Sequence, residues 1–244
     1  MAESVDILTK PQIINSQSVE KIVLSAERLG INVLGVFKEY EGPKKVKGFG
    51  EKVTELNNSE KVEVVSGLVV NSSTKKELRE DISVARENSD VLAVKGGLPE
   101  INRAASEDSR VDMLLNPGKG LRECGLDTVI SKKMFENRVS LGIVWKDLVN
   151  LNPKRRAQNL SKIRKQVYFS KKYGFDVILC SGAETPIEMR KPRDMLGLAK
   201  AVGVNLDKSK KWISKNPLKP VERAKKTFSK NFVSPGVEVS EDES

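Results

Sequence analysis

Seven short runs of apolar, largely β-branched residues recur along the chain: Val5 to Leu8, Ile31 to Phe37, Val62 to Val70, Val91 to Val94, Val111 to Leu115, Ser140 to Trp145 and Asp176 to Cys180. Runs that are apolar at nearly every position, instead of at every second one, are expected of strands covered on both faces. The stretches between them carry helix spacing and helix punctuation. Ser18 is predicted to cap a helix running through Leu29 with Gly30 as its stop, and Lys75 to Asn88 is amphipathic. Pro99 falls at a predicted first helical turn, and Asn152 with Pro153 repeats the cap-then-proline signal.

Strand and helix thus alternate about seven times, which implies parallel strands joined by right-handed crossovers. A closed barrel and a doubly wound sheet both fit this length. Seven similar units without a dinucleotide fingerprint favour a TIM-like (β/α) barrel of about seven parallel strands. In the helix after Asn152, Leu160, Ile163 and Val167 cluster on one arc of the wheel and are expected to be buried. Lys154, Arg155, Lys162, Lys165 and Lys172 lie on the far arc and are expected to be exposed. From Lys208 to Phe232, Pro217 and Pro220 predict two short helices with a turn at Asn216-Pro217. The division expected is one barrel domain with basic C-terminal helices over residues 1–232, followed by an acidic, extended tail over 233–244.

The charge is unevenly placed. The 244 residues carry a formal net charge of +10, yet Asn152 to Tyr173 holds eight basic residues and no acidic one. Asn205 to Phe232 holds nine basic residues against Asp207 and Glu222, and the tail is acidic. A surface tuned only for stability mixes both signs, whereas a single-sign block is tolerated when an anionic partner neutralises it. The bland reading is a solvated lysine-rich face. No apolar run is long enough for a bilayer-spanning helix, and Glu3 and Asp6 stand where a secretory signal needs basic and then apolar residues. A cytoplasmic protein with no membrane partner is expected. Cys124 and Cys180 give neither a disulfide framework nor a zinc-ligand spacing and are expected to be buried thiols.

The chain has no histidine, and therefore lacks the commonest general base and transition-metal ligand. In a (β/α) barrel, catalytic groups sit at the C-terminal ends of the strands. Those ends offer Lys38, Asn71, Lys95, Asn116, Lys119, Lys146, Asp147, Ser181 and Glu184. Lys95 or Lys146 would suit Schiff-base chemistry only if burial lowered its pKa. Gly96-Gly97, Asn116 to Gly120 and Ser181-Gly182-Ala183 are conceivable phosphate cradles, although tight turns explain them equally well and none matches a P-loop.

Several segments in a fixed order resemble one family: Val-Leu-Ala-Val-Lys-Gly-Gly at 91–97, Ile-Asn-Arg-Ala-Ala at 101–105, Arg-Val-Asp-Met-Leu at 110–114 leading to Pro117, and Gly-Leu-Asp at 125–127. Lys132, Lys133, Asn-Arg-Val-Ser-Leu-Gly-Ile at 137–143 and Lys-Pro-Arg-Asp-Met-Leu at 191–196 follow. From about Val19 to Val239 the chain resembles the archaeal and eukaryotic RNase P protein component 3 family. That resemblance implies a barrel like that of the polymerase and histidinol phosphatase (PHP) phosphoesterases without their metal site. It also implies a subunit of ribonuclease P, the ribonucleoprotein endonuclease that removes 5′ leaders from precursor tRNA. The subunit would stabilise the catalytic RNA and hold no catalytic group or cofactor itself, with Mg²⁺ on the RNA. Its implied partners are RNase P RNA, the component 2 protein, other protein subunits and, through the complex, precursor tRNA.

Resemblance and phosphate chemistry together single out Arg103, Lys119, Lys132 and Arg193 as RNA- or partner-binding residues, since arginine forks and lysine point charges suit phosphate. The bland alternatives are a salt bridge from Arg103 to Glu100 or Glu107 and an ion pair of Arg193 closing a barrel loop. A stand-alone barrel phosphoesterase or Schiff-base lyase remains the competing function, and a scaffold touching only protein is a third.

Overall fold

The computed structural model describes residues 4–12, 14–57, 59–227, 232–234 and 237–238. Seven strands, β1 (Val5–Thr9), β2 (Val33–Glu39), β3 (Glu63–Val70), β4 (Val91–Lys95), β5 (Met113–Leu115), β6 (Ser140–Val144) and β7 (Val177–Cys180), form one sheet in chain order. Every neighbouring pair is parallel, and each predicted apolar run holds one strand. β1 and β7 meet without a regular ladder. Gly182 N–H donates to the Leu8 carbonyl at 2.9 Å and Lys10 N–H to the Ala183 carbonyl at 2.7 Å. Ser181 N–H donates to the Asp6 carboxylate at 2.9 Å. The sheet is a nearly closed (β/α) barrel, as predicted.

Helices α1 (Ser16–Leu29), α2 (Pro43–Val46), α3 (Phe49–Glu55), α4 (Lys75–Glu87), α5 (Pro99–Glu107), α6 (Thr128–Glu136), α7 (Trp145–Val149) and α8 (Pro153–Tyr173) occupy the crossovers. After β7 come α9 (Pro192–Met195), α10 (Gly197–Ala201), α11 (Leu206–Ser209) and α12 (Lys215–Thr227). The predicted first cap is displaced: Asn15, not Ser18, caps α1. Asn15 Oδ1 accepts from Ser18 N–H at 2.9 Å while Ser18 Oγ accepts from Asn15 N–H at 3.1 Å. Ser18 is thus the inner half of a reciprocal capping pair, and the helix starts at Ser16 because Asn15 supplies the extended residue. Asn152 caps α8 and Pro153 opens it, as predicted.

Two apolar layers hold the barrel. One lies between the strands and the outer helices, where Leu34, Leu68, Leu92, Leu114 and Leu141 meet Ile22, Ile82, Ile101 and Ile163. The other fills the lumen with Phe37, Val65, Val69, Met113, Leu115 and Ile178. A lumen this narrow takes a phenylalanine only if its neighbour is small. A Cβ on Gly67 would stand 2.2–2.4 Å from three ring atoms of Phe37, so that glycine is the recess in which the ring lies.

The N-terminal ends of the strands are closed by α12. Asn216 Nδ2 donates to the Val177 carbonyl at 2.7 Å, and Lys225 pairs with Glu63 at 2.7 Å. Lys219 pairs with Asp176 and Arg223 with Asp112, while Val221 enters the lumen cluster. Asp112 is buried and also takes Arg86 at 2.7 Å and the Leu92 N–H at 2.7 Å. The predicted break at Asn216-Pro217 is not there: the turn falls at Ser214, and α12 runs on through both prolines. Pro217 lies in the first turn, where an N–H has no intrahelical partner to lose. Only Pro220 removes a hydrogen bond from the helix interior, and the anchored side chains around it offset that loss. Three of the nine cations of the second basic segment, Lys219, Arg223 and Lys225, therefore neutralise carboxylates at the barrel base.

Phe232–Ser234 and Val237–Glu238 pair as antiparallel strands β8 and β9, which include residues 233–234 and 237–238 of the tail expected over 233–244; its residues 235–236 and 239–244 lie outside the described residues. Cys124 and Cys180 are buried and unbonded, as expected. Among the described residues no helix is long and apolar enough to cross a membrane.

Gly67→Ala is expected to lower unfolding free energy by about 1–3 kcal/mol through overpacking. Phe37→Leu in the same chain should recover part of that loss, because the clashing ring is gone. Equilibrium urea unfolding of the two single variants and the double variant measures this, and strictly additive losses would contradict the recess.

Asp6 gives a second test. Burial pushes its carboxyl up to about 6 from 3.8, against the opposing hydrogen bonds of Ser181 and Leu8, and its Oδ2 has no partner. The folded chain holds this proton more tightly than the unfolded chain. The contribution is therefore fully present below about pH 4, falls as pH rises through about 6, and is lost above that, by about 3 kcal/mol in all. Asp6→Asn keeps an oxygen for the Ser181 N–H and cannot ionise. It should flatten the decline in Tm between pH 4 and 7, and a slope equal to that of the unmodified chain would show that Asp6 does not titrate in that range.

Candidate nucleic-acid interface

At the C-terminal ends of the strands the lysines are already engaged. Lys10 and Lys95 share Glu39 Oε1 at 3.3 and 2.8 Å. Lys146 is held by Glu184 at 3.1 Å and Glu188 at 2.8 Å, and Lys38 Nζ donates to the Lys45 carbonyl at 3.1 Å. Partial burial pulls the Lys146 ammonium down, but Glu188 and Glu184 outweigh it and hold it above its ordinary value. A Schiff-base lysine needs the opposite shift. Asn116, in a left-handed conformation with φ 50°, donates from Nδ2 to Asp147 at 2.6 Å. Among the described residues no group of three or more histidine, cysteine, aspartate or glutamate side chains is placed to hold a metal ion.

In the three glycine-rich segments several amides are used to close turns. Gly96 N–H goes to the Leu115 carbonyl at 2.8 Å and Gly97 N–H to Asn102 Oδ1 at 3.0 Å. Lys119 N–H closes on the Asn116 carbonyl at 2.9 Å, and Ala183 N–H on Ser181 Oγ at 3.1 Å.

The basic helix α8 separates into two kinds of residue. Ile163 and Val167 are buried, Lys154 and Lys165 exposed, as its wheel predicts. Leu160 is only half-buried and so is Lys162, which departs from the expected contrast. The reason is that Lys162 Nζ donates to the carbonyls of Gly118 at 3.0 Å and Leu121 at 2.6 Å, pinning the loop after β5 to the helix. Arg156 likewise donates to Leu148, Val149 and Leu151 at 2.7–3.1 Å and closes the end of α7. Lys154, Arg155 and Lys171 form no salt bridge among the described residues and remain as unneutralised positive charge on the outer face.

The four residues singled out from sequence lie in three places. Arg103 on α5 and Lys132 on the adjacent α6 are both exposed. Arg103 pairs with Glu107 at 3.0 Å, so the salt-bridge alternative is realised, and lowers that carboxyl together with Lys75. At 62 % exposure the Arg103 side chain still reaches solvent, where such a pair is worth little. Lys119 is exposed at the tip of the turn after β5. Arg193 lies at the start of α9, exposed and with no ion pair among the described residues. It belongs to the part of the chain after β7, apart from the α5–α6 pair.

Sequence reasoning overlooked the side chain that places two of these. Asn102 is fully buried. Its Nδ2 donates to the carbonyls of Pro117 and Gly125, each at 2.9 Å, while its Oδ1 receives the Gly97 N–H. It ties the turn before α5, which carries Arg103, to the loop that carries Lys119. In the sequence it is one residue of the Ile-Asn-Arg-Ala-Ala segment, and α5 buries it together with Ile101, Ala105 and Ser106.

The fold has known counterparts. A model of the family described as RNase P subunit p30 matches residues 5–227. The Ribonuclease P protein component 3 of Methanosarcina acetivorans is 34% identical over 181 residues, 74% of this chain and 74% of that protein. The protein of the same name from Methanococcoides burtonii is 32% identical over 228 residues, 92% of this chain and 88% of that one. Among solved structures, a chain of archaeal ribonuclease P with mature tRNA superposes with TM-score 0.79 at 23% identity, covering 97% of this chain and 99% of that chain. The histidinol phosphate phosphatase of Lactococcus lactis, solved with zinc, L-histidinol and phosphate, gives TM-score 0.51 at 11% identity over 83% of this chain and 95% of that one. Each of these two shares the barrel fold. With the family matched from the first strand to the helix that closes the barrel base, the chain belongs to the RNase P subunit p30 family.

Proposed function

We propose that this chain is a protein subunit of ribonuclease P, the endonuclease that removes 5′ leaders from precursor tRNA, and that it works by binding and stabilising the catalytic RNA. The observation that carries the reading is where positive charge is left over. At the barrel mouth Lys10, Lys95 and Lys146 are tied to carboxylates and Lys38 to a carbonyl, whereas the outer helices present Lys132, Lys154, Arg155 and Lys171, which form no ion pair among the described residues. A polyanion is drawn to such a surface. The partners are then RNase P RNA and the other protein subunits, the component 2 protein among them, with precursor tRNA as substrate of the assembly. The Mg²⁺ that the reaction needs is assigned to the RNA, the chain itself holding no cofactor, and the setting is the cytoplasm. Recognition rests on phosphates and helical shape more than on base edges.

Reconstitution with the RNA and the remaining protein subunits is the test. Cleavage of precursor tRNA should depend on adding this chain, and the chain alone should not turn over phosphate esters; metal-dependent hydrolysis by the chain alone would favour a phosphoesterase. Within the active assembly, Arg103→Ala combined with Arg193→Ala should leave the thermal transition in place and reduce cleavage by about tenfold at high salt and low Mg²⁺. Each lost phosphate contact should flatten the salt dependence of RNA affinity by about 0.7–0.9 in logarithmic slope. Cleavage and slope unchanged in the double variant would remove these two arginines from the interface.

A further inference from the structure

Between the loop after β5 and the outer side of α8 runs an open groove of about 670 Å³, with Pro99, Leu121, Leu126 and Ile130 as its floor and Tyr168 and Phe169 as one wall. A shallower depression of about 280 Å³ continues it along α8, sharing Leu121, Cys124 and Lys165 and ending among Arg122, Gln158 and Lys162. From Gln158 to Tyr168 the combined trough follows about 15 Å of helix, the length of nearly three helical turns.

Its surface is unusual for this chain. Of twelve aromatic residues, Tyr168, Phe169 and Tyr173 form a ladder on α8, with ring centroids 6.1 and 6.0 Å apart. Tyr168 is 60 % exposed. Leu98 and Val129, which directly precede the lining residues Pro99 and Ile130, are also exposed. Exposed aromatic and apolar groups gathered at one groove, with a rim that differs from its floor, mark a contact surface.

Several polar groups in the groove are already engaged. Asp127 accepts the Ile130 N–H at 2.8 Å, Cys124 Sγ donates to the Leu126 carbonyl at 3.4 Å, and Lys165 pairs with Glu123 at 3.4 Å. A nucleobase laid on the aliphatic floor of Pro99, Leu121, Leu126 and Ile130 would set its polar edges against carbon, which is costly. Apolar side chains lose nothing in the same place. Charge then sets the polarity of the occupant. Arg122, Lys162, Arg164 and Lys165 stand along the trough against only Glu123 and Asp127.

We propose that this trough is the docking site for a protein partner, one whose segment sets large apolar side chains against Ile130 and Tyr168 and carboxylates against Arg122 and Arg164. The inference rests on the ribonucleoprotein reading in taking that partner from the other protein subunits of the assembly. RNA is then held by other faces of the chain, and α8 contributes to both contacts from different sides.

The test uses the full chain with Tyr168→Ala and Leu98→Ser, singly and together; both side chains are exposed, and circular dichroism melts check that folding is kept. Affinity for each purified protein subunit is measured by calorimetry and affinity for the RNA subunit by filter binding. A benzophenone amino acid at position 168 reports which molecule occupies the trough in the assembled particle. The double variant should lose about tenfold or more in affinity for one protein subunit and keep its RNA affinity within about twofold. The crosslink should map to a peptide of that subunit carrying aspartate or glutamate. Unchanged affinity for every protein subunit, a loss confined to RNA, or a crosslink to RNA would each overturn the proposal. Cleavage restored by the unmodified chain is scored separately: if it fails, the subunit function falls, whereas pairwise binding and crosslinking still decide the trough.

Discussion

A parallel sheet of seven strands can curl into a barrel only if its lumen is filled and its outer strands can be joined, and both demands converge on a few residues here. Phe37 fills the lumen because Gly67 leaves it a recess. The last gap, between β1 and β7, is bridged by two backbone hydrogen bonds and by a buried carboxylate, Asp6, accepting from Ser181. Burying a carboxylate is unfavourable, and its raised pKa records that. A hydrophobic residue at position 6 would avoid the cost but leave the Ser181 N–H unpaired at the one place where the ladder is absent. The irregular register of β1 against β2 around Asp6 and Thr9 belongs to the same compromise.

Once the barrel is closed, its two ends become pockets of oriented backbone and clustered charge, and each is neutralised from within. At the base, α12 brings Arg223, Lys219 and Lys225 to carboxylates at the starts of β5, β7 and β3. At the mouth, Glu39, Glu184 and Glu188 bind the lysines that follow the strands. In barrel enzymes the active site sits at this mouth, built from the loops after the strands. Here the mouth is stitched together, and the surface left to meet partners is the ring of helices.

Strand positions were legible because burial on both faces writes a continuous apolar run, which the chain has seven times. Helix ends were legible where one residue both caps and stands alone, as Asn152 does, and less so where Asn15 and Ser18 share a cap. The base-closing helix was misjudged because proline rules act locally, while Asn216 is anchored to Val177, far earlier in the chain. The candidate site was legible as charge, not as contact. Nothing near Lys162 announces that its ammonium will be used by two carbonyls more than forty residues before it. Asn102 escaped notice for the same reason, since a buried amide shows its value only once the loops it joins are side by side.

The distinction between lysines that face solvent and lysines that bind carbonyls changes what the basic block of α8 means. Counted by sequence, its eight cations look like one electrostatic patch. In the fold, Arg156 and Lys162 act as donors that satisfy carbonyls at the end of α7 and in the loop after β5, and removing either would leave those carbonyls without their partners. Lys154, Arg155 and Lys171 have no such duty, and their attraction for an anion acts at long range and is screened by salt. The same helix therefore combines a short-range, structural use of positive charge on its flanks with a long-range one on its outer face. Because the structural donors also fix the loop that walls the apolar trough, a substitution on the flank would disturb the trough and the loop together, whereas one on the outer face would alter attraction for an anion alone.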